Sequence, residues 1–344
     1  MYTGYAAVLV WAGFSFDTSR RILAFVKKNG AESDLYLLIS LSMTKAMLDC
    51  NTGKWQKNES FNNVYQKGIS IGELWLTTLY VLYYGFQQIE LGDAAVLKDV
   101  SNVFTEIADS FENWHARSNK YRFSAFGMMK FRKFEQLQEL LDEGKKHIKG
   151  TENKTHLFVL NLVQAQLNIY NGKISDAVAS ITEAEKNLQE SKSIPVLYTH
   201  YLITKIQLDL VFFKEQYTND ENYKGKFKEL LNTSKKLITT SRKFVGNLTE
   251  AYLLRSRIFY LREKYTKALK NLSLAIATGE KYKGHLELSR AYFETGKFLS
   301  DPNVKYNELN GQPASHYLDK AKTMFEEMDL QWDLGEYRGY VQNH

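Results

Sequence analysis

The sequence has very little cysteine and proline, with one cysteine and three prolines in 344 residues. A lone Cys50 cannot form an internal disulfide, which excludes a disulfide-stabilised scaffold and favours a reducing compartment. We therefore predict a cytoplasmic protein. Because proline interrupts helix interiors, its scarcity suits long, uninterrupted helices. A chain of this length can also bury a sizeable core without a disulfide or a structural metal.

The motifs that usually carry chemistry are missing as well. The sequence contains no Gly-x4-Gly-Lys-Ser/Thr loop for nucleotide phosphates, no Gly-x-Gly-x-x-Gly fingerprint for dinucleotides, and no His-Glu-x-x-His or paired Cys-x-x-Cys pattern for zinc. Its seven histidines are dispersed along the chain, as is typical of surface or packing residues. We predict no catalytic residue, no metal and no cofactor.

Neither a strong excess of one charge nor a long apolar run is present. The chain carries 45 basic and 39 acidic residues, a net charge of +6, which is not the footprint of a dedicated nucleic-acid binder. The apolar stretch from Tyr5 to Phe16 is shorter than the roughly 20 residues that a bilayer span needs, and it lacks a basic leader. We predict neither a nucleic-acid nor a membrane partner.

Helical periodicity dominates what is present. Apolar residues recur three and four positions apart in Ile174–Leu188, Thr266–Ala277 and Ala314–Met328, which places them on one side of a helix. Convincing strand alternation is absent. Helix-breaking sequences separate the periodic segments, including Ser193-Ile-Pro195 and the polar run Thr218–Asn222. The sequence predicts an all-α protein.

The helices group into pairs that repeat. Asn161–Asn187 aligns with Tyr252–Thr278, so that small residues coincide at the same places in the second helix of each pair. These predicted packing residues are Ala177 and Ala184, Ala268 and Ala275, and, in the last pair, Ala314 and Ala321. Small side chains let neighbouring helices approach closely, as stacked hairpins require. The predicted first helices start about 40 residues apart, at Tyr2, Asp34, Ile69, Arg117, Lys154, Val196, Asn247 and His285.

This pattern of a small residue, an aromatic, a turn and then Ala-x6-Ala resembles the tetratricopeptide repeat (TPR). The likeness is good for Asn161–Leu188 and Tyr252–Glu280, and fair for His285–Met328, where Asp301–Gln312 lengthens a turn. The proline that usually closes each repeat is missing throughout. The resemblance implies a right-handed superhelix of antiparallel helix hairpins, a TPR-like α-solenoid. Residues 1–115 would be diverged N-terminal hairpins, continuous with a TPR-like array over residues 116–344 in one elongated solenoid.

The array is also similar to the C-terminal TPR-like regions of bacterial STAND signalling ATPases and of multidomain adenylate or guanylate cyclases. The resemblance rests on the alanine pattern from Ala314 and on the tail Met328–Leu334. It implies the partner- or signal-sensing region of a cytoplasmic regulator. The ATPase part itself is not encoded in this sequence, because the nucleotide-binding loop is missing.

The first helices of a TPR-like array line a concave groove that receives a peptide or a partner helix. Arginines and aromatic side chains are typical of binding hot spots, and arginine grips a carboxylate with two hydrogen bonds. We therefore predict a protein or peptide partner that offers an acidic or C-terminal carboxylate group. The repeat alignment places these residues on the concave face: Arg122, Phe126, Gln166, Tyr170, Arg257, Tyr260, Arg290 and Phe293. Alternatively, the aromatics pack between hairpins and the arginines pair with neighbouring glutamates.

The predicted first helix, Ala6–Trp11, is apolar on all sides. Because a repeat array needs polar end caps, such a start suggests that a preceding domain or a second copy of the chain packs on it. The alternative is a helix fully buried under the second hairpin.

The leading functional prediction is a non-enzymatic protein–protein interaction scaffold. A second reading is a peptide-binding receptor of the quorum-sensing type, which calls for a DNA-binding or effector bundle at the N-terminus; residues 1–114 show no clear basic recognition helix. A third is an α-helical enzyme with an aromatic cavity, for which the sequence lacks an Asp-Asp-x-x-Asp metal motif. An open groove would favour the scaffold, and a closed aromatic cavity with clustered carboxylates would favour the enzyme.

Overall fold

A computed structural model describes residues 2–30, 33–57, 60–150, 153–190, 195–215 and 223–343. The predicted breaks at Ser193 and Thr218–Asn222 lie outside these ranges. Within them the chain is almost entirely helical. The helices are α1 Tyr2–Trp11, α2 Phe16–Asn29, α3 Leu35–Thr52, α4 Phe61–Ser70, α5 Leu74–Glu90, α6 Val96–Ser110, α7 Trp114–Lys130, α8 Leu137–Lys149, α9 Lys154–Tyr170, α10 Ile174–Glu190, α11 Pro195–Glu215, α12 Tyr223–Ser241, α13 Leu248–Tyr260, α14 Tyr265–Tyr282, α15 His285–Ser300, α16 Ala314–Glu327 and α17 Gln331–Asn343.

These helices form the predicted hairpins, and the all-α solenoid prediction is confirmed. The predicted first-helix starts agree with the structure to within three residues, except at Ile69, which lies in the last turn of α4. The next hairpin begins at Leu74 because Gly72 breaks the chain with a positive φ of 71° and the Glu73 side chain caps the new helix at Leu76.

The turn inside a hairpin repeats in detail. After α5, α7 and α9, the residues Gly92, Arg132 and Gly172 all adopt a positive φ. In each turn the same pair of backbone hydrogen bonds closes the helix end; Arg132 N donates to Met129 O at 3.1 Å and Lys133 N to Met128 O at 2.8 Å. Two of these three turns have glycine at this position, and the third has Arg132, whose side chain lines a cavity between the first helices.

Small residues in the second helices lie where hairpins pack most closely. Ala177, Ala184, Ala268, Ala275 and Ala321 are completely buried, whereas Ala314, at the start of α16, is half-buried. The Ser256 hydroxyl of α13 donates to the backbone oxygen of Ala268 at 2.9 Å, which shows how near the two helices approach. Close approach of this kind leaves no room for a larger side chain.

The lengthened turn after α15 contains the strands found among the described residues. β1 (Glu308–Leu309) pairs antiparallel with β2 (Gln312–Pro313), with Leu309 opposite Gln312. No strand pattern is visible in the sequence here, because two-residue strands are too short to show alternation. The Tyr317 hydroxyl donates to Leu309 O at 2.7 Å and fastens this turn to α16.

The array curls so that early and late hairpins meet. One hydrophobic cluster joins residues of α3 to α7 with residues of α13 to α17. At Gly92 a Cβ would collide with Met328 of the last hairpin. The division at residue 115 stays a prediction.

Helix α1 is buried on one side only. Ala6 and Val10 are fully buried, whereas Tyr5, Val8 and Trp11 are exposed. The second hairpin therefore does not cover the whole helix. None of the helices in the described ranges combines the length and apolarity that a bilayer span requires.

Candidate functional site

Side chains from the first helices of five successive hairpins surround one cavity, which we call the central cavity. The helices are α7, α9, α11, α13 and α15, and we call the surface that they form the inner face. The space that a water-sized molecule can occupy is about 50 Å³. Residues lining the central cavity include Phe126, Lys130, Leu162, Gln166, Tyr170, His200, Gln207, Asn247, Glu250, Glu287 and Arg290.

An ion-pair network crosses the central cavity. Lys130 Nζ of α7 lies 2.8 Å from Glu250 Oε2 of α13 and 2.9 Å from Glu287 Oε1 of α15. The Arg290 guanidinium donates to both oxygens of Asp333, at 3.0 and 3.1 Å, and to the backbone oxygen of Lys130 at 2.7 Å. Hairpins that are far apart in the sequence are thereby fastened together by charge-assisted hydrogen bonds.

Helix α17 closes one end of the network. Arg132 NH1 donates to Asp333 Oδ1 at 2.6 Å, and the Arg132 guanidinium lies over the Tyr170 ring at 5.4 Å. Trp332 packs edge-on against Phe134 at 4.8 Å. The left-handed backbone at Arg132 directs this side chain to Asp333, which explains a charged residue at a position where two other hairpins have glycine.

The network keeps the Glu287 carboxylate ionised. Burial opposes ionisation of Glu287, but Lys130 and Arg290 outweigh it and lower the pKa of Glu287 to about 2. Burial also opposes the charged form of His200. Together with the nearby Lys130 and Arg122, it lowers the pKa of His200 to about 3, so this imidazole is neutral. No group of three or more His, Cys, Asp or Glu side chains in the described ranges is arranged to hold a metal ion.

A second cavity adjoins the central cavity, and we call it the Arg122 cavity. The two share the lining residues Phe126, His200 and Asn247, and the Arg122 cavity offers about 70 Å³ to a water-sized molecule. The Phe126 and His200 rings, which line both cavities, stack with their centroids 5.0 Å apart. Arg122 and Glu90 both line this second cavity.

A third cavity, the C-terminal cavity, lies between α13, α15 and α17 and measures about 520 Å³. Arg257 pairs with Glu294 at 3.2 Å, and Lys297 lies 3.4 Å from the same carboxylate. The Tyr260 hydroxyl donates to Asp301. These groups give the cavity both charge signs.

The structure places the eight predicted concave-face residues in different surroundings. Phe126, Gln166, Tyr170 and Arg290 line the central cavity, Arg122 and again Phe126 line the Arg122 cavity, and Arg257 and Tyr260 line the C-terminal cavity. Phe293 is buried against Phe325, Tyr337 and Tyr340. Both Arg257 and Arg290 pair with carboxylates, as the alternative reading described. The ligand contacts of these residues stay a prediction.

Sequence reasoning missed the acidic half of the network. Glu287 lies one helical turn before Arg290, and Lys130 lies one turn after Phe126, so their spacing could have placed them on the inner face. Asp333 and Glu90 carry no such signal. Asp333 belongs to α17, which follows the last hairpin, and Glu90 ends its helix at the turn.

Comparison with known proteins supports the architecture alone. No protein-family model matches the sequence, and no curated protein matches it significantly. Among solved structures, the crystal structure of Rap protein complexed with Competence and Sporulation Factor is similar, with a TM-score of 0.54. The likeness covers 99% of this chain and 96% of that chain at 12% sequence identity. The chain therefore has a TPR-like helical-repeat fold of stacked hairpins curled around a charged inner cavity.

Proposed function

We propose that this chain is a non-enzymatic interaction scaffold whose inner face binds an extended peptide or protein segment. The observation that carries the proposal is the convergence of five first helices on one cavity lined by apolar, aromatic and charged side chains. A surface of this kind offers an extended chain both hydrogen-bonding groups and pockets for its side chains.

The predicted residues take different roles in this proposal. Phe126, Gln166 and Tyr170 contact the segment directly in the central cavity. Arg290 is held by Asp333 and Glu287 and so shapes the cavity wall. The part of the partner that reaches the C-terminal end of the array is bound there by Arg257, Tyr260 and Phe293. Arg122 receives an acidic or C-terminal carboxylate group of the partner.

The biological setting follows from two resemblances. The likeness to STAND ATPases and cyclases adds the role of a partner-sensing region in a cytoplasmic regulator. The structural likeness to a Rap protein complexed with Competence and Sporulation Factor favours a second candidate, a receptor or regulator of the quorum-sensing type. In both, the inner face recognises the signal.

The enzyme reading receives less support. The carboxylates Glu250 and Glu287 are neutralised by Lys130, and Arg290 also pairs with Glu287. Carboxylates engaged in this way are poorly placed for acid–base work.

The exposed apolar side of α1 adds a second partner to the proposal. A preceding domain or another copy of the chain covers Tyr5, Val8 and Trp11. Light scattering after size-exclusion chromatography separates the two, because a strictly monomeric protein excludes the second copy.

Peptide binding is tested with a substitution that fills the central cavity. Gln166 is half-buried, lines the cavity and donates to Gln207 at 3.3 Å. We expect the immobilised Gln166→Trp variant to retain at least tenfold less of a random pentapeptide library than the wild type, because the indole occupies the space that a peptide needs. Retained peptides are identified by mass spectrometry.

The matched control is Gln189→Trp, on the exposed side of α10. It adds the same ring away from the inner face and should retain the same peptides as the wild type. Double alanine substitution of Arg257 and Arg290 is a poor test, because it removes one ion-pair partner from each of Glu294, Glu287 and Asp333 and so destabilises the fold. If the wild type retains no peptide, or both tryptophan variants behave alike, the inner-face proposal is wrong.

A further inference from the structure

Two ionisable side chains that line the Arg122 cavity, Arg122 and Glu90, form no ion pair with the described residues. The Arg122 guanidinium lies over the Phe86 ring at 5.8 Å, and its Nε is buried without a hydrogen bond. No carboxylate of the described chain forms an ion pair with it. The titratable groups whose pKa it lowers are Tyr83, which lines the same cavity, and the histidines His115, His156 and His200.

Glu90 presents the complementary case. It is half-buried at the end of α5, and its carboxylate lies against Gly246, where a Cβ would be only 3.1 Å from Oε1. No ion pair or hydrogen bond joins it to the described residues. Its charged neighbours are Lys130, Glu287, Glu250 and Arg290, and the two cations among them are already held by other carboxylates.

The cations near Glu90 are therefore already engaged by other carboxylates. Burial raises the pKa of Glu90 to about 8; Lys130 opposes the shift, and Glu287 and Glu250 add to it. At neutral pH this carboxyl is therefore largely protonated. A positive group brought against it would favour the ionised form and relieve the excess of carboxylates.

Ionisable side chains without a partner in a partly buried cavity cost stability, whether they stay charged or are neutralised, and apolar residues of similar size would usually stabilise the fold more. Pairing them with each other would remove the cost, but the two side chains rest on different surfaces, Arg122 on Phe86 and Glu90 on Gly246. The cavity of about 70 Å³ between them suits side-chain-sized groups.

We propose that the Arg122 cavity recognises a dipolar element of the bound peptide, with a carboxylate against Arg122 and an ammonium or guanidinium group against Glu90. This inference rests on the proposed peptide-binding function and specifies its ligand. The carboxylate comes from the peptide's C-terminus or from an acidic side chain. The cation comes from a lysine, an arginine or the free amino terminus.

The test uses the full chain and random pentapeptide libraries with free or amidated C-termini. The wild type should enrich peptides that carry both an acidic and a basic group. In Glu90→Gln, the enrichment of peptides with basic groups should fall about tenfold, and the enrichment of peptides with carboxylates should be unchanged. In Arg122→Met, the enrichment of carboxylates should fall and that of basic groups should be unchanged. The amidated library separates a C-terminal carboxylate from an acidic side chain, and an acetylated one separates the amino terminus from a basic side chain.

Thermal unfolding of the same variants distinguishes recognition from a structural role. Arg122→Met removes a charge that has no ion-pair partner, and Glu90→Gln replaces a carboxyl that is already largely protonated. We therefore expect the melting temperature to stay the same or rise. Peptides retained without any charge preference, or preferences that survive in both variants, would overturn the inference and leave the peptide-binding function standing. Absence of all peptide retention by the wild type would overturn both.

Discussion

At the residue scale, two buried histidines make the stability of the fold sensitive to acid. His115 and His156 stack with their ring centroids 6.2 Å apart, and the Nδ1 atom of each is buried without a hydrogen bond. Burial and the nearby Arg122 lower the pKa of His115 to about 4 and also lower that of His156. Both imidazoles are therefore neutral in the folded protein.

A phenylalanine at position 115 should make the protein less sensitive to acid. The depressed pKa of His115 means that its stabilising effect is present above the unfolded value of 6.5 and is lost as pH falls toward 4. Between pH 7 and pH 4.5 we expect the wild type to lose about 2 kcal/mol more unfolding free energy than His115→Phe. Urea unfolding at the two pH values measures this difference.

The comparison between variants is needed because other groups titrate over the same range. Because the pKa of Glu90 is raised, its contribution to the free energy of unfolding increases as pH falls, opposite to that of His115. Phenylalanine preserves the stacking on Trp75, whose ring lies 4.1 Å from that of His115. His316→Phe, at a half-buried position beside Tyr317, is the control and should follow the wild type. Equal acid sensitivity of His115→Phe and the wild type would contradict the prediction.

Sequence could identify single residues where the repeat register constrains them. The completely buried alanines were predictable because neighbouring hairpins must approach at fixed positions in each second helix. Arg290 could be placed on the inner face in the same way. Its partner Asp333 could not, because α17 lies outside the repeat and no register connects the two residues. Glu90 and its lack of a partner depend on contacts between distant hairpins.

At the element scale, the stacking of hairpins depends on the small alanine side chains of the second helices. We expect Ala177→Leu in α10 to lower the free energy of unfolding by about 1–3 kcal/mol, because Ala177 is completely buried and extra methylenes cannot be accommodated. Ala179→Leu, two residues along the same helix and exposed, is the matched control and should change it by less than about 0.5 kcal/mol. Similar urea midpoints for the two variants would show that this hairpin contact is loose.

The extent of the helices was predictable for a physical reason. Each hairpin buries a stripe at helical spacing and ends at a residue able to take a left-handed conformation or to cap the next helix. The error at Ile69 arose because an apolar residue in the last turn of α4 continues the hydrophobic pattern up to the break. The β1–β2 pair escaped prediction because its hydrogen bonds need no hydrophobic pattern.

At the scale of the whole molecule, the ion-pair network fastens the curled array. Lys130→Met should lower the free energy of unfolding by about 3 kcal/mol, because Glu250 loses its ion-pair partner and Glu287 one of its two in a mostly buried setting. Lys133→Met, at an exposed position three residues later, is the control and should have little effect. Chemical denaturation of both variants gives the comparison. A stability equal to the wild type in Lys130→Met would mean that apolar contacts alone hold the early and late hairpins together.

The resemblance to the TPR implied a superhelix, but the contacts that join its early and late hairpins could not be predicted from the sequence. Internal similarity predicts how each hairpin contacts the next, since those contacts repeat. Contacts such as Lys130 with Glu287 join residues 157 positions apart and occur once. They depend on small rotations accumulated over several hairpins, which no local pattern records.

The small size of the central cavity couples occupancy to curvature. Sites that enclose a drug-sized ligand usually measure roughly 300–1,000 Å³, and the free space here is about 50 Å³. Under the proposed function, a peptide would enter only if α7 moved away from α13 and α15, so binding would also change the curvature of the helical array. The affinity would then include the free-energy cost of opening the array, and a change in the distant α17 contact would alter that affinity without touching the peptide.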